Sequence, residues 1–185
     1  MDPYLARIAG LLGNRDPIRV LAATPVRLDG YAETLPSERW DVPWRPGGWS
    51  PRQIVAHLCD QEIGFGFRAR QTVAAQARAE RMADGATVPT IDAHTPEGTA
   101  HVAQPYDQDA WARAYPRLDP TVAIQGFSGL RAWNLAWLAR LELNDWLATY
   151  HHPERGADET VDELVRFLAG HDLNHLTQLD VVARG

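Results

Sequence analysis

Apolar residues recur at three- and four-residue intervals along most of this chain, which is the spacing of one face of an α-helix. Four such stretches are long enough to be main helices, and a shorter amphipathic stretch, DPYLARIAGLL, precedes them. The two-residue alternation that is typical of half-buried strands is rare. The pattern therefore predicts an all-α protein.

Capping residues mark where three of the four main helices begin. The first residue of each has a side chain that can accept a hydrogen bond from a free backbone N–H. It is followed either directly by proline or, three residues later, by an acid or amide that completes a capping box. These pairs are Asp16 with Pro17, Ser50 with Gln53, and Thr160 with Glu163. The helix after Ser50 should run to about Met82. Pro25 predicts a kink or a broken start in the helix after Asp16.

The remaining main helix is predicted from about Pro120 to Tyr150, and its tryptophans are expected to fill the core. They are Trp133, Trp137 and Trp146. His151 and His152 should then cap its C-terminus, because imidazolium groups interact favourably with free helix carbonyls.

Residues 83–119 are rich in Pro, Thr, Asp and Gly, with one short helical piece around Trp111–Tyr115. Such a long connection usually crosses the fold or covers a site. Its histidines, His94 and His101, are expected to be solvated or to form part of a lid. Four main helices with one long link, between the second and the third, predict a four-helix bundle with a crossover connection.

Composition narrows the class of protein. The length fits one domain over residues 1–185, and a formal net charge of −6 argues against nucleic acid or an anionic membrane as a partner. No apolar run approaches the roughly 20 residues that span a bilayer, so a cytoplasmic location is expected. The single cysteine, Cys59, excludes an intramolecular disulfide and a cysteine-built zinc site.

Three histidines carry the candidate chemistry. His171 and His175 form an H-x-x-x-H pair on the apolar seam of the last helix, and His57 lies on the apolar face of the helix after Ser50. Buried imidazoles still need partners for both ring nitrogens, and a divalent metal would supply them. The alternative is a helical bundle in which these histidines are ordinary polar core residues.

Several polar residues are close enough in sequence to support such a site by bonding the outer nitrogens of the ligand histidines. They are Asp60, Glu62, Asp172, Asn174 and Gln178. Trp40, Trp44 and Trp49 lie in or beside a proline-rich loop, where they either wall a pocket or simply pack.

The chain resembles the DinB/YfiT-like family of metal-dependent enzymes from about residue 16 to residue 183. The resemblance rests on DPIRVLAATP, WSPRQIVAHLCDQE, Arg131 in the third main helix, HHPERG and LAGHDLNHLTQL. It implies a bundle of up-down-down-up topology, a homodimer, and a metal triad at the positions of His57, His171 and His175. Known activities in the family include bacillithiol-dependent thiol transfer and mycothiol-dependent isomerisation.

The leading hypothesis is a metal-dependent enzyme in which zinc or nickel, with iron as a further option, is held by the three histidines. The ion would activate water or a low-molecular-weight thiol against a small electrophile, which makes the protein a bacillithiol-type S-transferase or a hydrolase. Arg131 would hold an anionic substrate group or form a structural ion pair. The alternative from another class is a non-catalytic, dimeric, metal-binding or stress-related bundle protein.

Overall fold

The computed structural model describes residues 2–85, 101–103 and 107–185. Within these ranges the chain forms seven α-helices, two 3₁₀ turns and three short strands. The helices are α1 (Pro3–Leu12), α2 (Pro17–Thr34), α3 (Pro51–Ala83), α4 (Gln108–Trp111), α5 (Pro120–Leu138), α6 (Leu143–Leu147) and α7 (Val161–Arg184). The strands are β1 (His101–Val102), β2 (Thr149–His152) and β3 (Ala157–Thr160), and the 3₁₀ turns are Ser37–Arg39 and Tyr115–Arg117. His94 lies outside the described residues.

Helices α2, α3, α5 and α7 form a four-helix bundle, and α1 packs on α7. α3 and α5 run in the same direction, since Cys59 approaches Gly126 at one level and Arg70 bonds Asn134 further along both helices. α7 runs opposite to α3, since His57 meets His175, whereas Glu62, further along α3, shares Arg131 with the earlier residue Asp172. α2 runs in the direction of α7, since Leu21 and Asp172 both bond Arg131, and Tyr31 bonds Asp180 further along both helices. The bundle is therefore up-down-down-up, and the long link between α3 and α5 is the predicted crossover.

The predicted helix starts are confirmed. The Asp16 carboxylate accepts from the backbone N–H of Ile18 at 2.9 Å, and the backbone N–H of Ser50 donates to Gln53 Oε1 at 3.0 Å. At the start of α7, Thr160 Oγ1 accepts from the N–H of Glu163 at 3.1 Å. α2 continues past Pro25 without a break, so the broken start expected there is wrong.

The prediction of one helix from residue 120 to residue 150 is wrong. α5 ends at Leu138, α6 is a separate short helix, and residues 149–152 form β2. Glu142 restarts the chain as a helix cap, with its N–H bonded to Asp145 Oδ2 at 2.8 Å. β2 then pairs in parallel with β1 and antiparallel with β3, so its backbone groups are satisfied by neighbours distant in sequence.

The end of α5 at Leu138 also changes the expected location of two groups of residues. His151 and His152 lie in β2 and do not cap a helix. Trp133 is 65% exposed and does not fill the core, whereas Trp137 and Trp146 are partly buried against it. Apolar residues were abundant enough in this segment that periodicity alone could not tell which face of α5 is outward.

The apolar core has two parts, and buried polar residues lie between them. One part includes Leu28, Ile54, Phe127 and Leu179, and the other includes Leu21, Ala69, Tyr150 and Leu168. Among the described residues, no helix is long and apolar enough to cross a membrane.

Candidate metal centre

The three predicted histidines meet in the bundle. His57 comes from the second turn of α3, and His171 and His175 come from successive turns of α7. The Nε2 atom of His171 lies 3.0 Å from Nε2 of His57 and 3.1 Å from Nε2 of His175. All three residues are 5% exposed or less. The helix spacing that suggested the pair therefore places three ring nitrogens around one point.

The protonation state of the three rings favours ligand nitrogens. Burial lowers the pKa of His57 and of His171 well below the ordinary value, and the neighbouring imidazoles lower both further. Burial also lowers the pKa of His175, to about 4. At neutral pH all three imidazoles are uncharged, so each retains a nitrogen lone pair that can bind a cation.

The arrangement fits a divalent metal ion. Zinc binds histidine nitrogen at 2.0–2.1 Å, and in a tetrahedral site this separates two ligand nitrogens by about 3.3 Å. The two measured Nε2 separations are close to that value. In the described part of the chain, no fourth histidine, cysteine or carboxylate joins the group. Three nitrogen ligands with a remaining position are typical of catalytic rather than structural zinc.

The surroundings of His175 and His57 hold the rings in place. Nδ1 of His175 lies 2.9 Å from Gln178 Oε1, which fixes the tautomer with the proton on Nδ1 and leaves Nε2 free to bind. Trp49 meets the His57 ring edge-on at a centroid distance of 4.7 Å and stacks against His175 at 6.3 Å. Nδ1 of His171 is buried without a hydrogen-bond partner in the described ranges.

Of the residues expected to support the site, Gln178 lies against a histidine nitrogen. Asp60 accepts a hydrogen bond from the Tyr115 hydroxyl at 2.8 Å. Glu62 and Asp172 both bond Arg131. Asn174 is buried beside the triad and lines the adjoining cleft. Sequence proximity could not separate these partners, because neighbouring positions on a helix face different directions.

Arg131 forms the structural ion pair that was one of its two expected roles. It is 1% exposed, and its guanidinium donates to Asp172 Oδ2, Glu62 Oε1 and the Leu21 carbonyl at 2.7, 2.7 and 2.8 Å. Asn134 donates to Glu62 Oε2 at 3.0 Å. We call Glu62, Arg131, Asn134 and Asp172 the arginine cluster. Arg131 is not among the residues that line the cleft, so a substrate would reach it only if the cluster opened.

A cleft of about 610 Å³ opens onto the triad, within the usual size range of ligand sites. It runs between α3 and α7. Trp44 and Trp49 line it, as one of their two expected roles proposed, while Trp40 is buried in the core. His152, Arg155 and Arg68 also line it. His152 and Arg155 were not predicted there, because the β2–β3 hairpin that carries them was expected to be the end of a helix. Arg68 lies on α3, where helical spacing alone did not indicate a cleft.

A four-helix bundle with three histidine nitrogens converging beside a cleft defines a class of metal-binding bundle proteins. The family model described as the DinB superfamily matches residues 21–179, and the chain belongs to that superfamily.

Relatives with assigned names support the same class. The chain is 22% identical over 169 residues to "Putative metal-dependent hydrolase YfiT" of Bacillus subtilis, covering 90% of this chain and 82% of the relative. It is 26% identical over 149 residues to "Putative metal-dependent hydrolase OB0782" of Oceanobacillus iheyensis, covering 78% and 71%. The solved structure of Bacillus subtilis YfiT, described as a probable metal-dependent hydrolase with an unusual four-helix bundle topology, shares the fold. Its TM-score is 0.73 at 22% identity, covering 91% of this chain and 84% of that one.

Proposed function

We propose that this protein is a metal-dependent hydrolase in which His57, His171 and His175 bind one divalent ion, zinc or nickel with iron as a further option, and that its substrate is a small electrophile held in the cleft. One observation carries the proposal. Three buried, uncharged imidazoles point their Nε2 atoms at a common position, with separations of 3.0 and 3.1 Å, at the wall of an open cleft.

The chain's own residues prepare this chemistry in three ways. The two turns of α7 fix the spacing of His171 and His175, and α3 adds His57 from the opposite direction. Gln178 holds His175 in the ligand tautomer. Trp49 covers two of the rings and limits access of bulk water to them. A divalent ion held there would supply a Lewis acid that lowers the pKa of a water or thiol molecule to near neutrality.

A low-molecular-weight thiol of the bacillithiol type is the second nucleophile to consider. The observation that favours it is the cleft volume of about 610 Å³, which has room for a thiol cosubstrate beside a small electrophile. In that case the protein is an S-transferase that uses the same three ligands. The two reactions differ in the attacking atom, which is the oxygen of water in one and the sulfur of the thiol in the other, and therefore in the product.

A non-catalytic, metal-binding or stress-related role is the proposal from another class. The absence of a fourth side-chain ligand in the described residues favours the enzyme, because structural zinc sites are normally closed by four protein ligands. The homodimer implied by the resemblance remains a prediction, and sedimentation equilibrium would test it.

The test begins with metal-free protein reconstituted with one equivalent of zinc or nickel. Consumption of a panel of small esters, amides and alkyl halides is measured with and without added thiols, and the products are identified as hydrolysed substrate or as thiol adducts. Metal-dependent turnover without thiol supports the hydrolase, and turnover that requires both supports the S-transferase. If stoichiometric metal binds but neither reaction occurs on any substrate in the panel, the non-catalytic proposal takes precedence.

A further inference from the structure

The charge of the cleft is opposite to the charge of the whole chain. The formal net charge of the protein is −6. Five charged residues line the cleft, however, and four are arginines: Arg7, Arg45, Arg68 and Arg155, against the single carboxylate of Glu154. A cleft lined by one sign of charge concentrates ligands of the opposite sign.

Three of these arginines are held by aromatic rings near the end of the cleft that the β2–β3 hairpin forms. The guanidinium carbon of Arg155 lies 4.7 Å from the Phe167 ring centroid, and that of Arg7 lies 5.4 Å from the Tyr4 ring. Tyr4 and Phe167 themselves meet edge-on at 6.4 Å. Arg68 lies over Tyr150 at 5.5 Å. Stacking on a ring holds a guanidinium in place by its flat face.

In the described part of the chain, the carboxylates that line the cleft are too few to cancel this charge. Arg155 pairs with Glu159 at 2.5 Å, and Glu159 does not line the cleft. Arg7 forms no ion pair with a carboxylate in the part of the chain that the structure describes. Even with Arg155 paired to Glu159, the described lining of the cleft has three further arginines against the single carboxylate of Glu154, so its formal charge is positive.

His152 adds a buried polar group at the same place. It is 5% exposed, lines the cleft, and its Nδ1 atom has no hydrogen-bond partner within the described residues. Leaving such a group unsatisfied is costly unless a ligand supplies the partner. Burial lowers the pKa of His152, as do the charges of Arg155 and Arg68, so the ring is uncharged at pH 7 and has one nitrogen that can donate a hydrogen bond.

We propose that Arg7, Arg155 and His152 form an anion subsite, and that the substrate of the proposed hydrolase carries a carboxylate or phosphate group bound there while its reacting bond faces the histidine triad. This inference rests on the proposed function for the identity of the reaction. A single aromatic ring joins the two places. Phe167 contacts the His171 ring at a centroid distance of 5.9 Å and carries Arg155 on its face at 4.7 Å. A small molecule spans that separation.

The test uses metal-free protein, so that anion binding is measured apart from metal binding. Inorganic phosphate and succinate are titrated by calorimetry at low ionic strength, with uncharged succinamide as the matched probe. Arg7→Gln, Arg155→Gln and His152→Gln are compared with Arg166→Gln. Arg166 is a fair control for Arg155, because each forms an i,i+4 ion pair and Arg166 does not line the cleft.

We expect one or both anions to bind and succinamide not to. Arg7→Gln and Arg155→Gln should each weaken binding about tenfold or more, the scale of one lost charged hydrogen bond, and Arg166→Gln should leave it within a factor of two. Binding of phosphate but not succinate indicates a substrate with a phosphate group. Binding of succinate but not phosphate indicates a substrate with a carboxylate group.

Absence of binding by both anions overturns the subsite, and so does an equal loss in the Arg166→Gln control. If Arg155→Gln fails to fold because it loses the ion pair with Glu159, Arg7→Gln still tests the subsite. The Arg7 substitution removes no ion pair with a described carboxylate. Failure of the proposed function has a different signature. A chain that binds anions through Arg7 and Arg155 but binds no zinc or nickel retains the subsite and loses the metal centre.

Discussion

Two groups of buried polar residues lie side by side in this bundle and have opposite chemical characters. The arginine cluster and the histidine triad share helices α3 and α7, and His171 and Asp172 are consecutive residues. In the cluster, one guanidinium is in contact with two carboxylates, so opposite charges are paired within the core. In the triad, three uncharged rings turn the same kind of atom toward one another. Buried groups of opposite charge stabilise the fold by pairing with each other. Buried nitrogens that all direct lone pairs at one point need a bound cation between them.

The largest expected effect separates the triad from other histidines. His171→Ala should lower metal affinity and metal-dependent activity by more than about 100-fold, because loss of even an outer partner of a ligand costs 10–100-fold. His151→Ala is the control, since His151 pairs with Asp158 in the hairpin. Calorimetric zinc titration measures the affinity. Similar affinities in the two variants would remove the distinction between the triad and ordinary histidines.

Breaking the arginine cluster should affect stability instead of chemistry. Arg131→Met leaves Glu62 and Asp172 buried without their counter-charge, and this should cost about 3–5 kcal/mol in the free energy of unfolding. Replacing all three by Glu62→Gln, Arg131→Met and Asp172→Asn should recover part of that loss. Urea denaturation gives the values. Zinc binding to the folded fraction of Arg131→Met should persist, and its loss would mean that the two groups act as one site.

Acid should destabilise the metal-free protein through the triad. The folded-state pKa of His175 is about 4, below the roughly 6.5 of an unfolded histidine, so the unfolded chain binds the proton first as pH falls. The contribution of His175 to the free energy of unfolding is fully present above pH 6.5, and it decreases by roughly 3 kcal/mol as the pH falls to 4. Unfolding free energies between pH 7.5 and 4 should show this slope, and His175→Gln should reduce it. An unchanged slope in that variant would assign the acid sensitivity elsewhere.

The smallest expected effect concerns the partner of one ligand. Gln178→Leu removes the acceptor at Nδ1 of His175 and should weaken zinc binding by roughly 10- to 100-fold. Gln178→Glu retains an acceptor and should restore most of the affinity. If the leucine and glutamate variants bind zinc equally, Gln178 does not position the ligand.

The sequence was most informative where local rules and the bundle agree. The caps at Asp16, Ser50 and Thr160 predicted three helix starts, and the 3-4 spacing on α7 placed His171 and His175 on the inward face. It was least informative where contacts between distant segments decide the structure. The strand β2 forms because β1 and β3 pair with it, and no local pattern distinguishes it from a continuing helix.

The same limit applies to the sites. The anionic partners of Arg131 come from α3 and α7, so spacing along the chain could suggest an ion pair without identifying it. The position of His152 in the cleft depends on the hairpin that folds back against α3. The resemblance to a family indicated the proposed metal-binding positions more readily than periodicity did, because it reflects contacts between distant segments, which periodicity does not.

Elemental analysis of the purified, zinc- or nickel-reconstituted protein tests the central claim most directly, with the His171→Ala, His175→Ala double variant and Arg131→Met measured beside it. The predicted result is one divalent ion per chain in the wild type and in folded Arg131→Met, and none in the double variant. Negligible metal in the wild type, or equal metal in the wild type and the double variant, would contradict the assignment of the triad as a metal centre.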